Sequence, residues 1–340
     1  MTTDQWLRSA GRSLATFAIL VGLGACGGGG GAGDGGRRPD SPAVIDAGNA
    51  ATITREVVSV GLDAGAFGGV VGGGGILSAD GGSNALAQSL AQSLAQSLVR
   101  HRATIQQVQP AASVGPETFD CLVSGTVRLS GSLNSEFTLT PGDRISIAFS
   151  HCDDADGAVY DGRMRLDVAS FSGDILNNVY ALGAAVTFTD LAITAGGGTL
   201  IGDGTLDIDL DLTVPLISAT AESGSLFGFR RGSDAWILRD FALSTVEDAT
   251  GASLLTRISG TGTLEGSRFE GAVNFVTLSP LVATGDDYPA TGEVLITGAN
   301  SATIRATVQT AQTVQLAIDL NGDGLVDDTQ QVPWSSLGGF

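Results

Sequence analysis

The chain has 340 residues, of which 17 are basic and 36 acidic, so its formal net charge is −19 at pH 7. Every basic residue is an arginine, which excludes enzymes that depend on a P-loop lysine, a Schiff-base lysine or a lysine general base. An acidic surface of this kind repels nucleic acid and anionic headgroups, so we expect no nucleic-acid partner.

Residues 1–25 have the pattern of a secretory signal peptide. Arg8 and Arg12 precede a largely apolar stretch that is too short to cross a bilayer as a helix. This stretch ends in LGAC, which resembles a bacterial lipobox and implies cleavage before Cys26 and lipidation of that cysteine. Gly27, in place of an aspartate, implies the outer membrane. The alternative is a plain secreted chain in which Cys26 belongs to a discarded signal.

Residues 26–83 form a Gly-rich tether and low-complexity segment. The run GGGGGAGDGG at 27–36 predicts a flexible tether that spans roughly 15 to 20 Å root-mean-square. From residue 37 to 83 the sequence stays rich in Gly, Ala and Asp, and we expect loose packing there.

A single amphipathic helix is predicted over residues 84–106. The tetrapeptide Ala-Gln-Ser-Leu occurs three times and places four leucines, at 86, 90, 94 and 98, on one arc of the helix. Gln and Ser occupy the polar face instead of basic residues, so we expect the helix to pack against a sheet and not to lie on a membrane surface.

Residues 116–340 have the period-two pattern of β-strands. Apolar residues alternate with aspartates in TLDIDLDLTV (205–214) and with charged residues in RMRLDV (163–168). Looser alternation occurs in VRLSG, FTLT, ISIAF, VTFTDLAI, WILRDFAL, EVLIT, TIRATV and VQLAI, separated by breaks that contain Gly, Asp or Pro. We therefore predict a mainly β fold, a large antiparallel meander arranged as a sandwich or an open barrel-like structure, with the helix covering part of it.

An outer-membrane barrel is the alternative architecture. The lipobox, Pro333 in the final segment and the small number of aromatic residues argue against it.

The cysteines outside the signal are Cys121 and Cys152. In a chain exported to an oxidising compartment, an even pair predicts a disulfide. Two buried free thiols are one alternative. A zinc site, with His151 as a ligand, is another, but the sequence contains no CxxC or HxxxH spacing to support it.

The segment DLNGDGLVDD (319–328) has the spacing of a calcium loop. Five residues would supply the ligands: Asp319, Asn321, Asp323, Leu325 through its carbonyl, and Asp327. Position 12 of the motif is Gln330 where an EF-hand has a bidentate Glu, so a weak calcium site is predicted. The alternative is an Asp-Gly turn whose carboxylates only cap backbone amides. Both interpretations stay open at this point.

Two stretches, CLVSGTVRLSG through RMRLDV and FVTLSPLVATGDDYPATGEVLITGAN through WSSL, resemble uncharacterised lipoproteins of Gram-negative bacteria. That family combines a lipobox, a helical N-terminal segment and two cysteines beside β-strands with an ending of the type YPxxG, TGAN, DxxGDGxxD and a Trp. The resemblance covers about 100 residues of this chain. It implies an envelope location and an all-β fold, and it brings no established activity.

No GxSxG elbow or HExxH motif is present, so we expect no enzyme. The sequence favours a non-catalytic, lipid-anchored protein of the outer membrane that faces the periplasm or the cell surface and acts as a structural or interaction module. Its partners would be the membrane, through the lipid anchor, and an envelope protein or an apolar ligand. The alternatives are a carrier of an apolar or lipid ligand, and a calcium-dependent surface adhesin with calcium as its cofactor.

Overall fold

The computed structural model describes residues 41–60, 112–134, 139–153, 158–174, 179–195, 198–214, 217–285 and 288–337. Cys26 and the helix predicted over 84–106 lie outside these ranges. Within them, no helix has both the length and the apolar character needed to cross a membrane.

Fourteen strands form one antiparallel sheet in which each strand pairs with the next along the chain. Their bounds are β1 Ala112–Asp120, β2 Ser124–Leu133, β3 Arg144–Asp153, β4 Ala158–Asp174, β5 Val179–Ala195, β6 Gly198–Asp211, β7 Ile217–Arg231, β8 Asp234–Asp248, β9 Leu255–Gly266, β10 Ala272–Thr284, β11 Thr291–Thr297, β12 Thr303–Thr310, β13 Thr313–Asp319 and β14 Asp328–Pro333. Helix α1 covers residues 50–60, a 3-10 turn covers Ala299–Ser301, and helix α2 covers Trp334–Leu337.

The predicted antiparallel meander is confirmed. All fourteen strands belong to one continuous hydrogen-bonded sheet. The two outer strands, β1 and β14, are not paired with each other, and the sheet is not closed into a barrel. The first strand begins at Ala112, four residues before the predicted start of the domain at 116.

Alternation along the strands gives the sheet one buried and one exposed face. In β6, Leu206, Ile208 and Leu210 are buried, whereas Asp207 and Asp209 are exposed, as the sequence predicts. The other alternating segments also lie in strands, with one exception, FTLT. There Leu139 and Thr140 lie outside any strand because they lead into the turn that Asp143 closes by accepting the Thr140 N–H at 2.7 Å.

The buried face packs against α1. Ala50, Ile53, Val57 and Val60 of the helix are at most 4% exposed and belong to the same apolar cluster as the inward side chains of the strands. The expectation of loose packing over 37–83 is therefore wrong for residues 41–60. Burial of one face of a short amphipathic helix offsets its weak intrinsic stability.

A reciprocal pair of hydrogen bonds caps the N-terminus of α1. The Asn49 N–H donates to Asp46 Oδ1 at 2.9 Å, and the Asp46 N–H donates to Asn49 Oδ1 at 2.9 Å. This is the arrangement of a capping box, in which residues three apart satisfy each other's free amides. It fixes the point at which the extended segment before residue 46 turns into the helix.

In a meander, successive turns alternate between the two ends of the sheet. The segment 41–47 contacts two connections that follow odd-numbered strands, those after β9 and β11. The Ala43 N–H donates to the Ala272 carbonyl at 2.8 Å, and the Ala299 N–H donates to the Ala43 carbonyl at 2.7 Å. We call this end of the sheet the proximal end and the other the distal end. The acidic loop 319–328 lies at the proximal end, and α2 lies at the distal end.

Candidate functional site

The acidic loop connects β13 to β14, and its side chains bind its own backbone. Asp319 accepts hydrogen bonds at Oδ1 from the N–H groups of Asn321 (3.2 Å) and Gly322 (2.7 Å), and at Oδ2 from the N–H of Gly324 (2.8 Å). Gly324 has φ +83°, a conformation that a residue with a Cβ rarely adopts, so the loop requires glycine at this position. These bonds fold the chain tightly around the Asp319 carboxylate.

The remaining side chains predicted as calcium ligands follow the same pattern. Asn321 Oδ1 accepts the Asp323 N–H at 2.9 Å, and Asp323 Oδ1 accepts the Leu325 N–H at 2.8 Å. Asp327 Oδ2 accepts the Leu320 N–H at 2.8 Å across the loop. The described geometry therefore has the amide caps expected of the turn interpretation.

The backbone amides also set the charge state of Asp319. Burial alone raises the pKa of a carboxyl, but the N–H groups of Gly324, Gly322, Asn321 and Asp323 outweigh it and lower the pKa of Asp319 below its usual value. The carboxylate is 7% exposed, and it stays ionised because several donors point at it.

Within the described ranges, no group of three or more His, Cys, Asp or Glu side chains is placed to share a metal ion. The five predicted ligands lie on one short loop, but its three aspartates do not form such a group. Asn321 and the Leu325 carbonyl are ligands of other types. Calcium binding at Asp319, Asn321, Asp323, Leu325 and Asp327 stays a prediction, and we treat it below as a question for measurement.

Cys121 and Cys152 form a disulfide with a Cα–Cα distance of 5.5 Å, as the sequence predicts. Cys121 follows β1, and Cys152 lies near the end of β3. The bond joins the proximal ends of β1 and β3 across the intervening strand β2. It therefore fixes the first edge strand to the body of the sheet.

A polar patch that the sequence analysis did not identify lies on the buried face of the sheet toward the distal end. It consists of Ser218, Thr220, Glu222, Thr245, Glu247 and Thr256. These residues share a face because they pair across β7, β8 and β9: Ser218 with Glu247, Thr220 with Thr245, and Glu247 with Thr256. The pattern within one strand could not reveal the patch, because its members lie on three strands.

Glu222 is the most deeply buried acid of this patch. Its cross-strand neighbours are the apolar Ile208 of β6 and Leu243 of β8. Burial raises the pKa of Glu222 to about 8, so the carboxyl is protonated at neutral pH. Among the residues that the structure describes, its Oε2 is buried without a hydrogen-bond partner, and so is Thr256 Oγ1.

Glu247, in the same patch, has one partner. The Ser218 hydroxyl donates to Glu247 Oε2 at 3.2 Å. Burial raises the pKa of Glu247, and the hydrogen bond from Ser218 only partly opposes that shift. Two carboxyls of the patch are therefore held in surroundings that favour their neutral forms.

Glu56 of α1 is another buried acid, and both of its carboxylate oxygens have partners. The Trp236 indole Nε1–H donates to Glu56 Oε2 at 2.5 Å, and Arg55 Nη2 lies 3.1 Å from Glu56 Oε1. Arg268, which also pairs with Asp234 at 2.6 Å, lies 3.6 Å from the same Oε1. This network attaches α1 to the beginning of β8 and to the turn between β9 and β10.

Comparison with protein-family models, with curated proteins and with solved structures found no match.

Proposed function

We propose that the protein is a non-catalytic, lipid-anchored protein of the bacterial outer membrane whose β domain is a structural or interaction module. The observation that carries this proposal is the Cys121–Cys152 disulfide. The chain has three cysteines, so the bond leaves Cys26 as the one without a disulfide partner. A disulfide suits an oxidising compartment, and Cys26 ends the lipobox-like LGAC.

The position of Ser41 at the proximal end of the sheet supports the same proposal. Ser41 is the first described residue, and its carbonyl accepts the Ala272 N–H at 3.0 Å. Between Cys26 and Ser41 lies the Gly-rich stretch, whose composition suits a tether. A lipid on Cys26 would hold the domain to the membrane without membrane-spanning chain.

The experiment is metabolic labelling with a fatty acid followed by fractionation of the envelope. The wild-type protein should label and partition with outer membranes, and the Cys26→Ala protein should do neither. The matched control is the double variant Cys121→Ser/Cys152→Ser, which removes two other cysteines and should keep the label. A Cys26→Ala protein that still labels and fractionates with membranes would contradict the proposal.

The orientation of the protein is a separate part of the proposal. Protease treatment of intact cells separates the two locations, because a periplasmic domain is protected and a surface-displayed domain is cleaved. The double-cysteine variant also serves here, since loss of the disulfide should increase cleavage only if the domain is accessible.

A second candidate function is a carrier of an apolar or lipid ligand. It is favoured by Glu222 Oε2 and Thr256 Oγ1, two buried atoms of the polar patch that have no hydrogen-bond partner among the described residues. Such atoms are costly to bury, and a polar group of a ligand could satisfy them while its apolar part packs on the sheet. Native mass spectrometry of gently purified protein should then show a bound lipid that Glu222→Gln weakens. Recovery of both proteins without bound lipid would contradict this candidate.

The calcium-dependent adhesin remains a third candidate. It rests on the acidic loop alone, and the measurement that decides it is given in the Discussion.

A further inference from the structure

Exposed apolar side chains are concentrated at the proximal end of the sheet. Among the described residues, eleven large apolar side chains are exposed, and six of these lie in proximal turns or in the segment that enters there. The six are Val44, Leu122, Val123, Leu320, Leu325 and Val326. At the distal end, Val179 and Val214 are the corresponding residues.

Four of the six belong to neighbouring segments. Val44 follows Ala43, whose carbonyl accepts the Ala299 N–H at 2.7 Å. The acidic loop packs on the same turn, because a Cβ added to Gly322 would lie 2.8 Å from the Asn300 carbonyl oxygen. The Gln330 side chain, just after the loop, donates to the Ala47 carbonyl at 2.6 Å. We call Val44, Leu320, Leu325 and Val326 the proximal patch.

The proximal patch is too exposed to belong to the core. Val44 is 67% exposed, Leu325 is 69% exposed and Val326 is 59% exposed. Scattered single apolar residues on a surface need no explanation, but apolar residues grouped on adjoining loop tips are typical of a contact surface.

The path of the chain shows which surface this end would meet. Ser41 is fixed at the proximal end by the hydrogen bond between its carbonyl and the Ala272 N–H. Fourteen residues, rich in Gly, separate it from Cys26. If this segment is the tether that its composition predicts, it would span about 20 Å root-mean-square. A lipid on Cys26 would therefore keep the proximal end, and not the distal end, near the bilayer.

We propose that the proximal patch docks on the lipid bilayer that holds the anchor and inserts its apolar side chains into the interfacial region. This inference rests on the proposed lipidation of Cys26. The partner is a zwitterionic phospholipid surface, because Asp323, Asp327 and Asp328 lie beside the apolar tips and repel anionic headgroups. The lipid anchor supplies proximity, and the patch fixes which end faces the membrane.

The experiment uses the mature lipidated protein, which begins at Cys26, in phosphatidylcholine vesicles whose acyl chains carry bromine, a short-range quencher of indole fluorescence. Leu325→Trp introduces an indole in the proximal patch, and Val214→Trp introduces a matched one at an exposed apolar position of the distal end. The parent protein supplies the background from Trp236 and Trp334, which are both buried. Quenching at position 325 should be about twofold stronger than at position 214.

A second measurement tests whether docking depends on the charge of the headgroups. Replacing half of the phosphatidylcholine with anionic phosphatidylglycerol should weaken the quenching at position 325, because the carboxylates of the loop then face negative headgroups. Far-ultraviolet circular dichroism of each variant verifies folding.

Equal quenching at positions 325 and 214, or none at either, overturns the docking proposal. If the same preparation still carries the fatty-acid label on Cys26, the anchor proposal stands and only the docking fails. If the label is absent as well, the proposed function fails with it.

Discussion

Among the described residues two glutamates are buried, and they differ in whether their carboxyl oxygens have partners. Glu56 of α1 has both carboxylate oxygens engaged, one by the Trp236 indole and the other by Arg55 and Arg268. Glu222 of β7 lies between Ile208 and Leu243 and has an oxygen without a partner. The two side chains are similarly hidden, at 2% and 5% exposure. The environment, and not burial itself, therefore decides whether a buried acid stabilises the fold.

The difference follows from where each residue lies. Glu56 is at the margin of the core, where Arg55 and Arg268 reach it with guanidinium groups that remain partly exposed. Glu222 is on a central strand of the sheet, with apolar side chains on both neighbouring strands. A charge at the first position is paired, whereas a charge at the second would be unpaired, so Glu222 keeps its proton. Glu56 therefore anchors α1, whereas the charged form of Glu222 would destabilise the fold.

The largest expected effect is a dependence of stability on pH that arises from Glu222. Its folded pKa, about 8, lies above the usual value of 4.5, so between these values the native state holds a proton that the unfolded chain has lost. The free energy of unfolding should therefore fall as pH rises from 4.5 to 8, by up to roughly 5 kcal/mol, and level off above that range. Urea denaturation at several pH values measures the slope.

The matched control is Glu222→Gln, which has nearly the same shape and does not titrate. Most of the slope between pH 4.5 and 8 should disappear in this variant. A smaller slope of the same sign should remain, because the pKa of Glu247 is also raised by burial. Below about pH 4 both proteins should lose stability together, since the pKa values of Asp167, Asp234, Asp248 and Asp319 are lowered in the folded state. Identical slopes in the two proteins would show that Glu222 is not protonated in the native state.

The next largest effect is expected from removing Glu56, the acid that anchors α1. Glu56→Ala should lower the free energy of unfolding by about 3 kcal/mol, because it leaves the buried Trp236 N–H without an acceptor and separates Arg55 and Arg268 from their shared partner. Chemical denaturation monitored by tryptophan fluorescence checks this value.

Trp236→Phe is the companion variant, since it removes the N–H donor and keeps an aromatic ring beside Phe229, whose centroid lies 5.2 Å away. Its cost should be smaller, about 1 to 2 kcal/mol. The double variant should cost less than the sum of the two single variants, because both remove the same hydrogen bond. Strictly additive effects would mean that Glu56 does not act through Trp236.

The comparison also shows what the sequence could and could not predict. Alternation in β6 predicted the strand and its buried face, and the number of cysteines predicted the disulfide. Helix α1 was missed because its neighbourhood is rich in Gly and Ala, although Asp46, Asn49 and the spacing of Ile53, Val57 and Val60 do indicate a capped helix.

The surroundings of the two glutamates could not be predicted in this way. The Glu56–Trp236 contact joins residues 180 positions apart, and no local pattern encodes such a pairing. Glu222 lies beside Leu243 only because β7 and β8 pair in one particular register. For the acidic loop, in contrast, the spacing DxNxDG offered an amide-capped turn as one of two open interpretations, because the hydrogen bonds of such a turn join residues within the loop itself.

Replacing Glu222 by an apolar residue is expected to have a smaller effect of opposite sign, a rise in the free energy of unfolding. At pH 5, where Glu222 is neutral, Glu222→Met should raise the free energy of unfolding by about 1 to 2 kcal/mol, because an apolar side chain of similar length removes the unsatisfied polar atom. Glu222→Gln at the same pH should bring no such gain, since the amide keeps buried polar groups. If Glu222→Met destabilises the protein instead, the carboxyl has a stabilising partner in solution.

The smallest effect concerns Asp319, a third acid, whose partners are backbone amides. If DLNGDGLVDD binds calcium, it does so weakly, in the range of about 10⁻⁴ to 10⁻³ M typical of extracellular modules. Several millimolar calcium would then add about 1 kcal/mol to the free energy of unfolding and raise the melting temperature by about 2 °C. Asp323→Ala should abolish the rise, because it removes a ligand at the fifth position of the motif.

Asp248→Ala is the matched control: Asp248 caps the Thr250 N–H in the turn after β8, outside the acidic loop, so its loss should leave the response to calcium unchanged. The amides that already bind Asp319, Asn321 and Asp323 would have to coexist with the ion, which each oxygen can allow through its second lone pair. A melting curve of the wild-type protein that is the same in calcium and in chelator would leave the loop as a turn whose carboxylates serve only its own backbone.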